Sequence, residues 1–143
     1  MKLMATAGPI ILIEDDREDV EIFTEALREI NLKNELVHFG TSLEAIEYLR
    51  TTTECPFLIF CDMNLPMMSG IEFRKKIEED PLLRKKSIPF IFYSTSADPI
   101  IIDETYAEMI VQGFFLKEIS FSGIRETLTT ITDYWLLCRL PQC

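Results

Sequence analysis

The chain has 143 residues, with 14 basic against 24 acidic side chains, a formal charge of −10 and 48% hydrophobic content. At this length a single core buries roughly two-thirds of the unfolded surface, which removes any need for a disulfide or metal to hold the fold and excludes a disordered chain. The negative charge excludes a broad, salt-dependent grip on nucleic acid or on an anionic membrane, because both need clustered Lys and Arg.

Met1–Gly8 lacks an apolar signal core, and no stretch approaches the ~18 apolar residues of a membrane span, so a cytoplasmic protein with a leader over 1–8 is expected. Cys55, Cys61, Cys138 and Cys143 show neither paired spacing nor histidine partners and read as reduced thiols. His38, the single histidine, excludes a His-based metal site or triad and reads as a strand residue.

The run Pro9–Ile13 is apolar and β-branched and stops at Glu14-Asp15-Asp16, as a buried strand ending in acids would. Val20, Phe23, Leu27 and Ile30 then stripe one face of an amphipathic helix. Leu36–Phe39 reads as a second strand, and Thr41-Ser-Leu-Glu44 as a capping box opening a helix to about Arg50 with Leu43, Ile46 and Leu49 inward. Phe57–Cys61 is apolar throughout, as suits a central strand covered on both faces, and it too ends on an acid, Asp62.

Pro66 and Gly70 punctuate a loop before a helix from Ile71 to about Glu79, which Pro81 closes. Ile88–Tyr93 is another central strand, ending in Ser94-Thr95-Ser96. A helix is expected from about Asp98 to Val111, although Ile100-Ile-Ile102 is more apolar than a surface helix needs. Gly113–Lys117 is the last strand, and Ile124, Leu128, Ile131 and Trp135 stripe a final helix starting near Ser122.

Strands alternating with helices imply right-handed crossovers, hence an α/β domain with a doubly wound parallel sheet and helices on both faces. In such folds the functional crevice lies at the carboxyl ends of the strands, where Glu14, Asp15, Asp62, Ser94 and Lys117 all fall. Clustered carboxylates tolerate one another when a cation sits among them, and hard oxygen ligands of this type suit Mg²⁺. A metal beside a carboxylate, a hydroxyl and a lysine is equipment for phosphoryl transfer. Each residue also has a plainer role: Asp15 or Asp16 as a helix N-cap, Ser94 as a turn hydroxyl, Lys117 as a solvated lysine.

From about Pro9 to Tyr134 the chain resembles the receiver domains of two-component response regulators. Ile11-Leu-Ile-Glu-Asp15, Asp62-x-x-x-Pro66-x-x-x-Gly70, Ile88–Ser94 and Gly113–Lys117 carry the resemblance. It implies a five-stranded, flavodoxin-like sheet of order 2-1-3-4-5, with the receiver over 9–136 and a tail over 137–143. It also implies that Asp62 accepts the phosphoryl group and that Asp15 binds Mg²⁺ directly. Glu14 would reach the metal through water, and the Asn64 backbone carbonyl would be a further ligand. A shift by one within the acidic triplet would bring in Asp16 instead. Ser94, with Thr95 as the alternative, matches the switch hydroxyl, Lys117 the phosphate-binding lysine, and Phe114 the rotameric switch aromatic.

The departure is Glu118, where the family usually has a proline joined by a cis bond; a non-proline cis bond costs ~2.5–4 kcal/mol, so a trans peptide is expected. Ser96 occupies a position that varies among receivers. The reading is a stand-alone signalling domain rather than an enzyme, one that assists only its own phosphorylation and dephosphorylation. Its partners would be a sensor histidine kinase or phosphotransfer protein, an effector, and a second copy as a homodimer, with no nucleic acid and no membrane. The alternatives are a phosphorylation-independent pseudo-receiver and, more distantly, an aspartyl-phosphate phosphatase, which would usually carry an acid where Asn64 stands. The apolar tail from Asp133 to Cys143 is expected to pack back on the domain.

Overall fold

The computed structural model describes residues 5–95 and 98–141, so Ser96 and Cys143 lie outside the described residues. Five strands form one parallel sheet: β1 (Ile10–Ile13), β2 (Leu36–Phe39), β3 (Leu58–Cys61), β4 (Phe90–Ser94) and β5 (Gly113–Leu116). Their order is β2-β1-β3-β4-β5, as the resemblance implies. Every residue of β1, β3 and β4 is buried, because these three central strands are covered on both faces.

Alternation along the strands divides the core in two. Ile10, Leu12, Leu58, Phe60, Ile91 and Tyr93 face α1 (Arg17–Ile30) and α6 (Phe121–Leu137), meeting Phe23, Leu27, Ile124, Leu128 and Ile131. Ile11, Ile13, Ile59, Cys61, Phe90 and Phe92 face the other way, toward α2 (Ser42–Thr51), α3 (Gly70–Glu79) and α4 (Pro81–Lys86). The expected stripes of α1 and α6 all lie in the first of these cores.

Several local expectations need correction. Leu43 points outward, and α2 buries Ala45, Ile46 and Leu49 instead. Helix α4 was not anticipated: Pro81 ends α3 but also occupies the first turn of a new helix, where its missing N–H is harmless. Asp80 makes this possible, since its Oδ1 accepts from the Leu82 and Leu83 N–H groups at 3.0 and 3.4 Å. Helix α5 (Pro99–Glu108) stops short of Val111, whereas α6 begins at Phe121, capped by Ser120, next to the expected start at Ser122.

No peptide bond among the described residues is cis, so the Lys117–Glu118 link is trans. Cys61 and Cys138 are free thiols, whereas Cys55 is disulfide-bonded, against the expectation of reduced thiols throughout. In the tail, Trp135 and Leu140 pack on the core while Tyr134, Leu136 and Leu137 face outward. No helix among the described residues is long and apolar enough to cross a membrane.

Candidate functional site

Register brings the strand ends level. Ile13 pairs with Cys61, Cys61 with Phe92, and Ser94 with Leu116, so the residues that follow emerge along one rim. Ladder bonds continue one residue past the strands and fix the site backbone: Glu14 N–H donates to Phe39 O at 3.0 Å, Asp62 N–H to Ile13 O at 3.1 Å, and Lys117 N–H to Ser94 O at 2.8 Å.

The loop after β3 is equally constrained. Gly70 N–H donates to Met63 O at 3.0 Å, folding the start of α3 back onto the end of β3. A Cβ on Gly70 would fall 2.3 Å from the Asp62 carbonyl oxygen, an overlap with backbone that no side chain can relieve. The glycine eight residues after Asp62 is therefore required by this close approach.

Lys117 Nζ is the hub of the rim. It donates to Glu14 Oε1, to Asp19 Oδ2 at 2.8 Å and to Asp62 Oδ2 at 3.2 Å. The other Asp62 oxygen accepts from the Asn64 N–H at 3.2 Å. Glu14 Oε2 accepts from the Asp15 N–H at 3.1 Å and, more weakly, from the Asp16 N–H at 3.5 Å. One carboxylate oxygen from each of Glu14, Asp15 and Asp62 lies within 4.8 Å of the others.

The alternatives left open in the acidic triplet are separated by these contacts. Asp16 is the N-cap of α1, its Oδ1 accepting from the Glu18 and Asp19 N–H groups at 2.9 and 3.2 Å, while Glu14 and Asp15 carry the carboxylates of the cluster. Likewise Thr95 is exposed, whereas Ser94 is fully buried and its hydroxyl has no hydrogen-bond partner among the described residues. An unpaired buried hydroxyl is costly, and a site that keeps one suits an incoming polar group. Phe114, half-buried on β5, stacks obliquely on Phe92 with ring centroids 5.8 Å apart.

The charges press on one another. Burial pushes the Glu14 carboxyl up to about 8, against the downward pull of Lys117 and with a further upward push from Asp62. Burial alone would lower the Lys117 ammonium, but Asp19, Glu14 and Asp62 outweigh it and drive the group upward, so the cation is retained. Burial likewise pushes up the Cys61 thiol beneath the rim, which leaves it inert at neutral pH.

Two participants went unread in the sequence. Asp19 lies in the first turn of α1, and no spacing in the sequence marks it out, because its contact with Lys117 is made by the fold. His38 Nε2 lies 2.7 Å from the Glu14 carbonyl oxygen and therefore carries the hydrogen of that bond, tying β2 to the acidic turn.

Comparison with known proteins bears on the fold and the family. Response regulator Rcp1 of Synechocystis sp. is 27% identical over 132 residues, spanning 89% of this chain and 88% of the relative. The structure of the phosphorylated cyanobacterial phytochrome response regulator RcpA superposes with a TM-score of 0.82 at 31% identity, covering 93% of this chain and 97% of that one. The Mn²⁺-bound form of Rcp1 gives a TM-score of 0.76 at 26% identity, over 92% and 97% of the two chains. Residues 10–129 match the response regulator receiver domain, and the chain belongs to that family of signalling modules.

Proposed function

We propose that this receiver accepts a phosphoryl group on Asp62 from the phosphohistidine of a sensor histidine kinase or phosphotransfer protein, in the cytoplasm and with Mg²⁺. The observation that carries the reading is the buried, unpartnered Ser94 hydroxyl on the same rim as a lysine-paired Asp62. Ser94 Oγ and Lys117 Nζ are the two donors that a phosphoryl group on Asp62 needs.

An Asp62 carboxylate oxygen forms the new bond to phosphorus while the phosphorus–nitrogen bond of the donor breaks, its electron pair leaving with the neutral imidazole. Lys117 holds Asp62 in place beforehand and then balances charge on the phosphoryl oxygens, and the Asn64 N–H orients the second carboxylate oxygen. Glu14, Asp15, Asp62 and the Asn64 carbonyl would hold the Mg²⁺, which when bound neutralises charge on the transferring group. The hard-oxygen set fits such an ion, and the manganese-bound relative supports a divalent metal here.

Output would follow from a two-state element. Ser94 moving to a phosphoryl oxygen vacates space beside Phe92, and the Phe114 ring turns inward from its half-buried position. That changes the face made by α5 and β5, where Ile100, Ile101, Tyr106 and Leu116 are exposed. An effector, or a second copy of the chain, would be read out there.

Intact mass after incubation with acetyl phosphate tests the proposal. Wild type should gain a Mg²⁺-dependent phosphoryl adduct, Asp62→Asn should gain none, and Asp15→Asn should bind Mg²⁺ more weakly with its fold intact. A wild type that binds Mg²⁺ yet takes no adduct from acetyl phosphate or a phosphorylated kinase would instead be a binding module that works without phosphorylation.

A further inference from the structure

We infer that Asp19 is an exchangeable counterion of Lys117, occupying in the resting site the hydrogen bond that a phosphoryl oxygen must take. The inference rests on the proposed function and concerns a residue given no role in it.

The count of donors is decisive. An ammonium has three N–H groups, and Lys117 gives one each to Glu14, Asp19 and Asp62. A phosphoryl oxygen can enter only if one carboxylate leaves. Asp62 keeps its bond when phosphorus is carried on Oδ1, because Oδ2 then remains as a carbonyl oxygen against Lys117. Releasing Glu14, whose side chain is 2% exposed, would leave a buried polar group without its partner and without access to water.

Asp19 is the group free to go. Its side chain is 33% exposed while that of Lys117 is 8% exposed, so the carboxylate reaches water by turning its own side chain. It also sits in the first turn of α1, where the helix dipole stabilises an unpaired negative charge. The bond from its backbone N–H to Asp16 Oδ1 keeps the turn in place as the side chain leaves. Ser94 needs no such exchange, since its hydroxyl is already unpartnered. The resting site is thus open to the phosphoryl group on one side and closed by an internal anion on the other.

Beryllium fluoride, which forms a phosphoryl-like adduct on a carboxylate, measures this competition without turnover. Its apparent affinity, read from Trp135 fluorescence or by calorimetry with Mg²⁺ present, should tighten by roughly fivefold in Asp19→Ala, as expected for losing one partly exposed ionic competitor. Asp19→Glu should return toward wild type by restoring a carboxylate that can reach Lys117. Glu18→Gln removes the same charge one residue away from a side chain that makes no contact with Lys117, and it should leave the affinity within twofold. If Glu18→Gln tightened binding as much as Asp19→Ala, the effect would belong to the general field and the inference would fall. If wild type bound the probe and Asp19→Ala matched it, the inference would fall alone. A wild type with no binding at all would overturn the proposed function together with it.

Discussion

Helices α1 and α5 hold equivalent places, each following a strand that ends at the rim, yet they attach to the sheet differently. Helix α1 buries Phe23, Ala26 and Leu27, with Phe23 edge-on to Phe60 and Tyr93 at 5.1 and 6.0 Å. Helix α5 buries only Thr105, whose hydroxyl donates back to Ile101 O at 2.6 Å, and it leaves Ile100 67% and Ile101 41% exposed. Few buried apolar contacts mean a low local stability. The turn that carries Glu14 and Asp15 thus leads into a firmly packed helix, and the apolar face proposed for output lies on a loosely packed one.

The largest expected effect tests the firm half. Phe23→Ala should lose about 3–5 kcal/mol, read from the denaturation midpoint, because it empties a tightly packed aromatic cluster. Thr105→Ala should lose less than about 1 kcal/mol, and equal losses would break the comparison.

A middle-sized effect concerns pH at the entry to α1. The Glu14 carboxyl ionises near 4.5 in the unfolded chain and near 8 in the folded one, so between these values the folded chain holds a proton that the unfolded chain has lost. Stability of the metal-free protein should therefore fall as pH rises through that window. Glu14→Gln should flatten the slope and gain on the order of 2 kcal/mol at pH 8, with no gain below pH 4.5, in thermal melts with a chelator present. The smallest effect sharpens the loose half: Ile100→Lys should change stability by less than about 0.5 kcal/mol. Its consequence should be seen in capture of effector or in self-association.

Much of this was legible in the sequence because three central strands are apolar at every position and end abruptly in polar residues. That pattern places Glu14, Asp15, Asp62 and Ser94 at one rim before any coordinates, and Lys117 follows from the last strand. What escaped depends on contacts rather than pattern. Proline at 81 signals a stop, and only the Asp80 carboxylate bonded to the next two backbone donors turns it into a start as well. Leu43 fits a helical stripe as well as Ala45 does, and the sheet decides which faces inward. Asp19 looks like one more acid in a charged first turn until Lys117, 98 residues later, is brought against it.

The close approach of Gly70 to the Asp62 carbonyl has a bearing on timing. With the loop after β3 held against α3, the backbone under Asp62 has little freedom, so the motions that accompany phosphorylation belong to side chains. A partly exposed carboxylate such as Asp19 reorients in picoseconds to nanoseconds, whereas collective shifts of buried groups and loosely held elements, such as Ser94, Phe114 and α5, run in microseconds to milliseconds. Charge at the rim would then settle long before the distant face responds, and relaxation measurements would show the two events as separate phases.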